Sequence, residues 1–223
     1  MFSFSPRPLE DILAILFAFV VATAIHEFMH AWTALQLGDT TARDQGRITL
    51  DPTSHFEPFG FFGMVMIAIG YPFIGWGKPV PVAPWKMTRL PRDQRRRGMA
   101  LVALAGPASN VVQAAIGAVV LQVVVRNGID ISGALNMLDW FVRINILLAA
   151  FNMIPVPPLD GFNILNGILP EFWGPVLAPL AKYGFLVLIL LFFIGGHLGG
   201  SIVDSLIGPV QTSLRDLMYR GLF

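Results

Sequence analysis

His26, Glu27 and His30 stand in the order His-Glu-x-x-His, with Phe28 and Met29 between them. Residues four apart share one face of a helix, so both imidazoles can reach a single metal ion while Glu27 lies beside them, placed to take a proton from a water molecule. Histidines satisfied by ordinary hydrogen bonds are the competing explanation. It is weakened by the surroundings, because the motif lies inside an apolar run over residues 9–37. A charged side chain in such a lipid-facing element costs on the order of 2.5 to 3.5 kcal/mol and usually marks function. Catalytic zinc needs a third protein ligand and an open fourth position. The chain has no cysteine, so that ligand must be a histidine or a carboxylate. Asp160 has the best setting: Pro155, Pro157 and Pro158 break the helix before it, and Gly161 lets the backbone approach closely. Glu57, His55 and Glu171 remain open as alternatives.

The elements that must hold these residues belong in a membrane. The chain has 223 residues, 55% hydrophobic and 13% charged, against roughly 25% charged in a soluble domain. Such a chain cannot cover a water-facing surface. Apolar runs over residues 9–37, 99–125, 135–154 and 173–194 each reach about the length of a bilayer span. Residues 60–76 are apolar but interrupted by Gly60, Gly63, Gly70, Pro72 and Gly75, which reads as a re-entrant segment or a thin span, shielded by protein or water. The re-entrant form is preferred, because a full crossing would put the two polar flanks on opposite sides. Arg43, Arg47, Ile48, Thr49 and Leu50 suggest a short strand before the Asp51-Pro52 turn. A glycine-rich turn holding His197 precedes residues 201–223, whose helical alternation of apolar and polar residues suits the membrane surface. The expected fold is an all-α polytopic membrane protein, one membrane-embedded domain over residues 1–223, with about four to six transmembrane or re-entrant helices and a short membrane-associated β segment.

Charge sets the expected orientation. Lys86, Arg89, Arg92, Arg95, Arg96 and Arg97 form a basic cluster, and with a re-entrant 60–76 the whole stretch 38–98 carries nine basic residues on one side. The positive-inside rule makes that side cytoplasmic. Net charge is only +1, and without aromatic residues interleaved in the basic cluster nothing points to a nucleic-acid partner. Asp139 and Arg143, four apart, suit an ion pair at the mouth of their span.

With these motifs the chain resembles the site-2 protease family. Besides residues 26–30 it has Asn152-Met153-Ile154-Pro155-Val156-Pro157-Pro158-Leu159-Asp160-Gly161, similar to the family's Asn-x-x-Pro-x-Pro-x-Leu-Asp-Gly signature. Gly106-Pro107-Ala108-Ser109-Asn110 resembles its Gly-Pro-x-x-Asn element, and His55-Phe56-Glu57-Pro58-Phe59-Gly60 with Gly75-Trp76-Gly77-Lys78-Pro79-Val80-Pro81-Val82 resembles the compact bacterial and archaeal branch. Glu57 stands where that branch has Asp.

The resemblance implies an intramembrane zinc-dependent endopeptidase that cuts transmembrane segments of membrane proteins. His26, His30 and Asp160 would hold one zinc per chain, Glu27 would be the general base, and Asn152 would donate a hydrogen bond to the oxyanion. Asn110 would orient the site, and His55 would shape water or substrate access. The extended run Gly77, Lys78, Pro79, Val80, Pro81 and Val82 would hold an unwound substrate as an added strand. The protein would sit in a prokaryotic inner membrane with its active site toward the cytoplasm, its partners the bilayer and a membrane-protein substrate. A transporter or proton relay built on His26, Glu27 and His30, or a catalytically idle relative that binds membrane segments, are the alternative functions; metal content separates the relay from the protease.

Overall fold

The computed structural model describes residues 7–71, 73–129, 132–195 and 202–220. His197 and Pro72 lie outside them. Four helices are long and apolar enough to cross a membrane. They are α1 (Leu9–Gln36), α4 (Arg95–Arg126), α5 (Ser132–Asn152) and α7 (Gly174–Gly195), with α2 (Thr41–Asp44), α3 (Pro58–Ala68), α6 (Asp160–Ile168) and α8 (Ile202–Tyr219) between and after them.

The helix α1 is the centre of the bundle. Ala14, Ala18, Ala22, His26, His30 and Ala34 follow one another at intervals of four and are all buried. Small residues on that ridge let α4 and α5 approach closely, and the two histidines continue it into the interface. The helix stops where expected, at Gly38, whose φ of 96° is left-handed and favours glycine at a helix C-terminus. Ile15, Ala18, Phe19 and Ala22 pack with Met64, Ala68 and Ile144, tying α1 to α3 and α5.

Residues 58–76 do not cross the membrane as a helix. The 11 residues of α3 reach about 16 Å, half of the roughly 30 Å hydrocarbon core. The chain then folds back along α3, where a methyl group on Gly60 or Gly63 would collide with the backbone of Trp76 or Ile74. The return is closed by the Lys78 N–H, which donates to the His55 carbonyl at 2.8 Å. Both flanks of the segment therefore meet at one level, as a re-entrant hairpin requires.

Among the described residues there is no strand, which corrects the β segment expected from sequence. Arg43 lies in α2, and residues 47–50 form an irregular loop. Residues 77–83 are extended, yet their amides bond to other groups than a neighbouring strand: Val80 N–H donates to Glu27 at 2.8 Å and Ala83 N–H to Asp39 at 2.6 Å. Pro79 and Pro81 have no N–H to contribute to a ladder.

The tail is amphipathic as its alternation suggested: α8 buries Ile207 and Met218 and exposes Leu206, Val210 and Leu217. Gln122 and Tyr219 fasten it, Gln122 donating to the Met218 carbonyl at 3.0 Å and the Tyr219 hydroxyl to Asp139 at 2.6 Å. Asp139 also takes the expected partner Arg143 at 2.7 Å.

Single cysteines test the hairpin against a clean background, since the chain has none. Cysteines at Ser54 and Arg92 should react with an impermeant thiol reagent from the same side. A cysteine at Gly133, beyond the 32-residue α4, should react only from the other. Labelling of Ser54 and Arg92 from opposite sides would overturn the hairpin.

Candidate metal centre

His26 and His30 leave α1 toward α4, and both are buried. Each ring is oriented through Nδ1. The His26 Nδ1 lies 2.6 Å from Asn110 Oδ1, and the His30 Nδ1 lies 2.7 Å from the Val102 carbonyl oxygen. A carbonyl only accepts, so His30 carries its proton on Nδ1. Asn110 spends its Nδ2 on Asn145 Oδ1 at 2.9 Å, so its Oδ1 is the atom facing His26, and that ring too is protonated on Nδ1. Both Nε2 lone pairs therefore point into the same space.

Asp160 meets them there. It is the first residue of α6, which begins after the turn through Pro155, Pro157 and Pro158, and Gly161 packs directly on the carbonyls of Met153 and Ile154, where no side chain would fit. Its Oδ2 lies 3.2 Å from His26 Nε2 and 3.3 Å from His30 Nε2, and the two Nε2 atoms are 2.9 Å apart. That oxygen is buried without a hydrogen-bond donor. Three ligand atoms thus converge on one space. One proton can bridge one pair; a divalent cation satisfies all three. Ligands 2.0 to 2.1 Å from a tetrahedral zinc stand about 3.3 Å apart, close to the spacings to Asp160 and slightly wider than that between the imidazoles. The donor set fits zinc.

The alternative third ligands are elsewhere. Glu57 caps α3, its carboxylate accepting from the Gly60 N–H. Glu171 begins an exposed turn. His55 is buried but turned to the loop, its Nε2 donating to the Thr49 carbonyl at 2.9 Å. The turn before it is capped by Asp51, whose carboxyl is held below its usual range by the Thr53 hydroxyl and then the Thr53 amide.

A cavity of about 280 Å³ opens on the three acceptor atoms and is lined by Glu27, Asn152, Gly77, Pro79, Val80 and Val82 as well. Glu27 accepts the Val80 N–H through Oε2. Asn152 closes α5, its amide donating to the Leu148 carbonyl at 3.1 Å. Of the run 77–82, Lys78 and Pro81 do not line this cavity. His55 lines a neighbouring one of about 250 Å³ that shares Thr23, Trp76 and Gly77 with the first.

Several residues that shape the site were not singled out from sequence. Asn145 is fully buried and fixes Asn110; its signal was an amide inside an apolar span. Asp39 and Arg47, both buried, grip residues 78–83, and nothing in a polar loop distinguished them from surface charges. Gly106, by contrast, was already marked by the Gly-Pro-x-x-Asn element; it forms the floor of the centre, since a methyl there would press on both imidazoles.

Losing the partner that orients a metal-binding histidine typically weakens a metal site by 10- to 100-fold, so Asn110→Ala should lower zinc affinity within that range, read by competition with a chelator. Gly106→Val should abolish zinc binding, because its side chain takes the space of His26 and His30. Wild-type affinity in Gly106→Val would mean that the metal lies elsewhere.

Comparison with known proteins agrees with this chemistry. The model of peptidase family M50 matches residues 123–195, the part holding Asn152 and Asp160. The chain is 34% identical over 190 residues to "Putative zinc metalloprotease YwhC" of Bacillus subtilis, covering 83% of this chain and 82% of that protein. It is 29% identical over 191 residues to Rip2 of Mycolicibacterium smegmatis, which bears the same description, covering 83% and 70% of the two chains. To MJ0611 of Methanocaldococcus jannaschii, also so described, it is 36% identical over 86 residues, covering 37% and 40%. No solved structure matches significantly. An integral membrane bundle with a zinc-fitting donor set and these relatives leaves one conclusion: the chain belongs to peptidase family M50, the zinc-dependent site-2 proteases.

Proposed function

We propose that this metalloprotease hydrolyses peptide bonds of membrane-spanning substrates inside the bilayer, with His26, His30 and Asp160 holding one zinc and Glu27 as general base. The observation that carries the reading is one cavity in which two imidazole nitrogens and a carboxylate oxygen converge beside a second carboxylate, within a membrane bundle. Bound there, zinc supplies Lewis acidity, bringing a water's pKa toward neutrality and polarising a carbonyl.

The protein's own groups do the rest. One carboxylate oxygen of Glu27 is held by the Val80 N–H, which leaves the other to take a proton from the attacking water and return it to the leaving nitrogen. Asn152, on the cavity wall, offers its amide to the developing oxyanion. A helical substrate has its peptide groups occupied by internal hydrogen bonds, so the scissile stretch must unwind before it is cut. Pro79, Val80 and Val82 give it a wall to lie against. That wall is poor in donors, because Pro79 has no N–H and the Val80 N–H is already engaged. It therefore holds a substrate through its carbonyls more than as a full ladder. The basic residues of 38–98 favour the cytoplasmic side of a prokaryotic inner membrane for the cavity.

The roles of Glu27 and Asp160 separate by substitution. Glu27→Gln keeps an oxygen for Val80 N–H but cannot take a proton, so zinc should stay near one per chain while the rate falls by about 10²- to 10⁴-fold. Asp160→Ala should lose both zinc and activity, because two imidazoles alone leave the ion underligated. Metal analysis and cleavage of a quenched fluorescent single-span peptide read both. A rate above about a tenth of wild type in Glu27→Gln would remove it from the base's role.

A further inference from the structure

The segment beside Glu27 is held by two charged side chains that belong to no part of the metal centre. Asp39 has no exposed surface, and its carboxylate accepts the Ala83 N–H at 2.6 Å, the Thr41 N–H at 2.9 Å and the Thr41 hydroxyl at 2.6 Å. Arg47, also buried, donates to the Lys78 carbonyl at 2.8 Å and reaches the Pro79 carbonyl at 3.4 Å. The His55 Nδ1 lies 3.5 Å from the same guanidinium, and the His55 carbonyl takes the Lys78 N–H at 2.8 Å. Among the described residues no carboxylate pairs with Arg47. A buried guanidinium facing only neutral acceptors is costly, and here those acceptors are the backbone of the segment that lines the catalytic cavity.

Between the two anchors lies the Val80 N–H, and it points at Glu27. The flanking prolines make it the one amide donor in residues 79–81 and fix φ on either side of it. A displacement of this stretch therefore moves a backbone donor that faces the carboxylate, and misplacing a reacting group by about 1 Å can cost on the order of a hundredfold in rate.

We propose that Arg47 is a positioning residue for the general base. It acts through the Lys78 and Pro79 carbonyls, which set the Val80 N–H, which in turn holds one oxygen of Glu27 and aims the other at the reacting water. Asp39 anchors the far end of the same segment. The inference rests on the reading of Glu27 as base, and it predicts an effect on turnover with the metal left in place.

The test uses the full chain purified in detergent, as wild type, Arg47→Gln, Arg47→Lys and Asp39→Asn. Three quantities are measured: bound zinc, hydrogen–deuterium exchange of peptides covering residues 77–83, and kcat and KM on the quenched single-span peptide. In Arg47→Gln zinc should remain near one per chain and exchange at 77–83 should quicken by about tenfold, the weight of a lost hydrogen bond to a charged group. There kcat should fall by on the order of ten- to a hundredfold, with KM changing by less than kcat. Arg47→Lys keeps a donor for the two carbonyls and should recover part of both the protection and kcat. Should Arg47→Gln not fold, Arg47→Lys and Asp39→Asn carry the comparison, each loosening 77–83 in proportion to its loss in kcat. Unchanged exchange at 77–83, a loss of zinc that accounts for the lost rate, or an unchanged kcat in a cleaving background would each overturn the inference. A zinc-loaded wild type that cuts no span would instead overturn the protease reading, and the exchange measurement would still decide whether Arg47 holds the segment.

Discussion

Two imidazole nitrogens and one carboxylate oxygen face each other across about 3 Å in the interior of an apolar bundle, each presenting a lone pair. In a medium of low dielectric constant that arrangement is repulsive unless a cation lies among the three. Most of the structure around the centre follows from keeping those lone pairs aimed inward. Asn110 and the Val102 carbonyl hold the Nδ1 protons away from the centre, Asn145 fixes which end of Asn110 faces His26, and Gly106 leaves room for both rings. Pro107 sits inside α4 at this level. It lacks an amide hydrogen, so the Ala103 carbonyl four residues back loses its helical donor, next to the Val102 carbonyl that takes the His30 Nδ1 proton.

The remaining constraint is that polar backbone cannot be left facing lipid. The hairpin meets it by lying against protein: α3 packs on α1, and residues 73–76 pack on the glycine face of α3. Residues 77–83 meet it with ion-like partners, Arg47 for carbonyls and the Glu27 and Asp39 carboxylates for amides. These bonds bring an extended stretch of chain to the catalytic cavity without a neighbouring strand. One of these bonds ties the segment directly to Glu27.

An apolar bundle of this kind gains little from hydrophobic association in lipid, so its helices rely on close packing of small residues and on buried hydrogen bonds. The alanine ridge of α1 and the Asn110–Asn145 pair are the two devices seen here. Both also build the metal centre. Packing and chemistry therefore share residues, and a substitution chosen to probe one disturbs the other unless, like Glu27→Gln, it conserves shape.

By itself the sequence determined the membrane class, the four long spans, the helical face shared by His26, Glu27 and His30, and the proline-broken turn that delivers Asp160. These are local matters: hydropathy, a spacing of four, and residues that cannot continue a helix. The glycines of 60–76 were legible as an interruption, but only the folded chain showed that they make room for its own return past α3. Tertiary structure alone decided the tautomers of the two histidines, the support of Asn110 by Asn145, and the absence, among the described residues, of a strand where Ile48, Thr49 and Leu50 suggested one. It alone turned Arg47 and Asp39 from loop charges into anchors of residues 78–83. Such contacts join residues far apart in the chain, such as Arg47 with Lys78 or Asp39 with Ala83. No periodicity records which distant carbonyl or amide a buried charge will find.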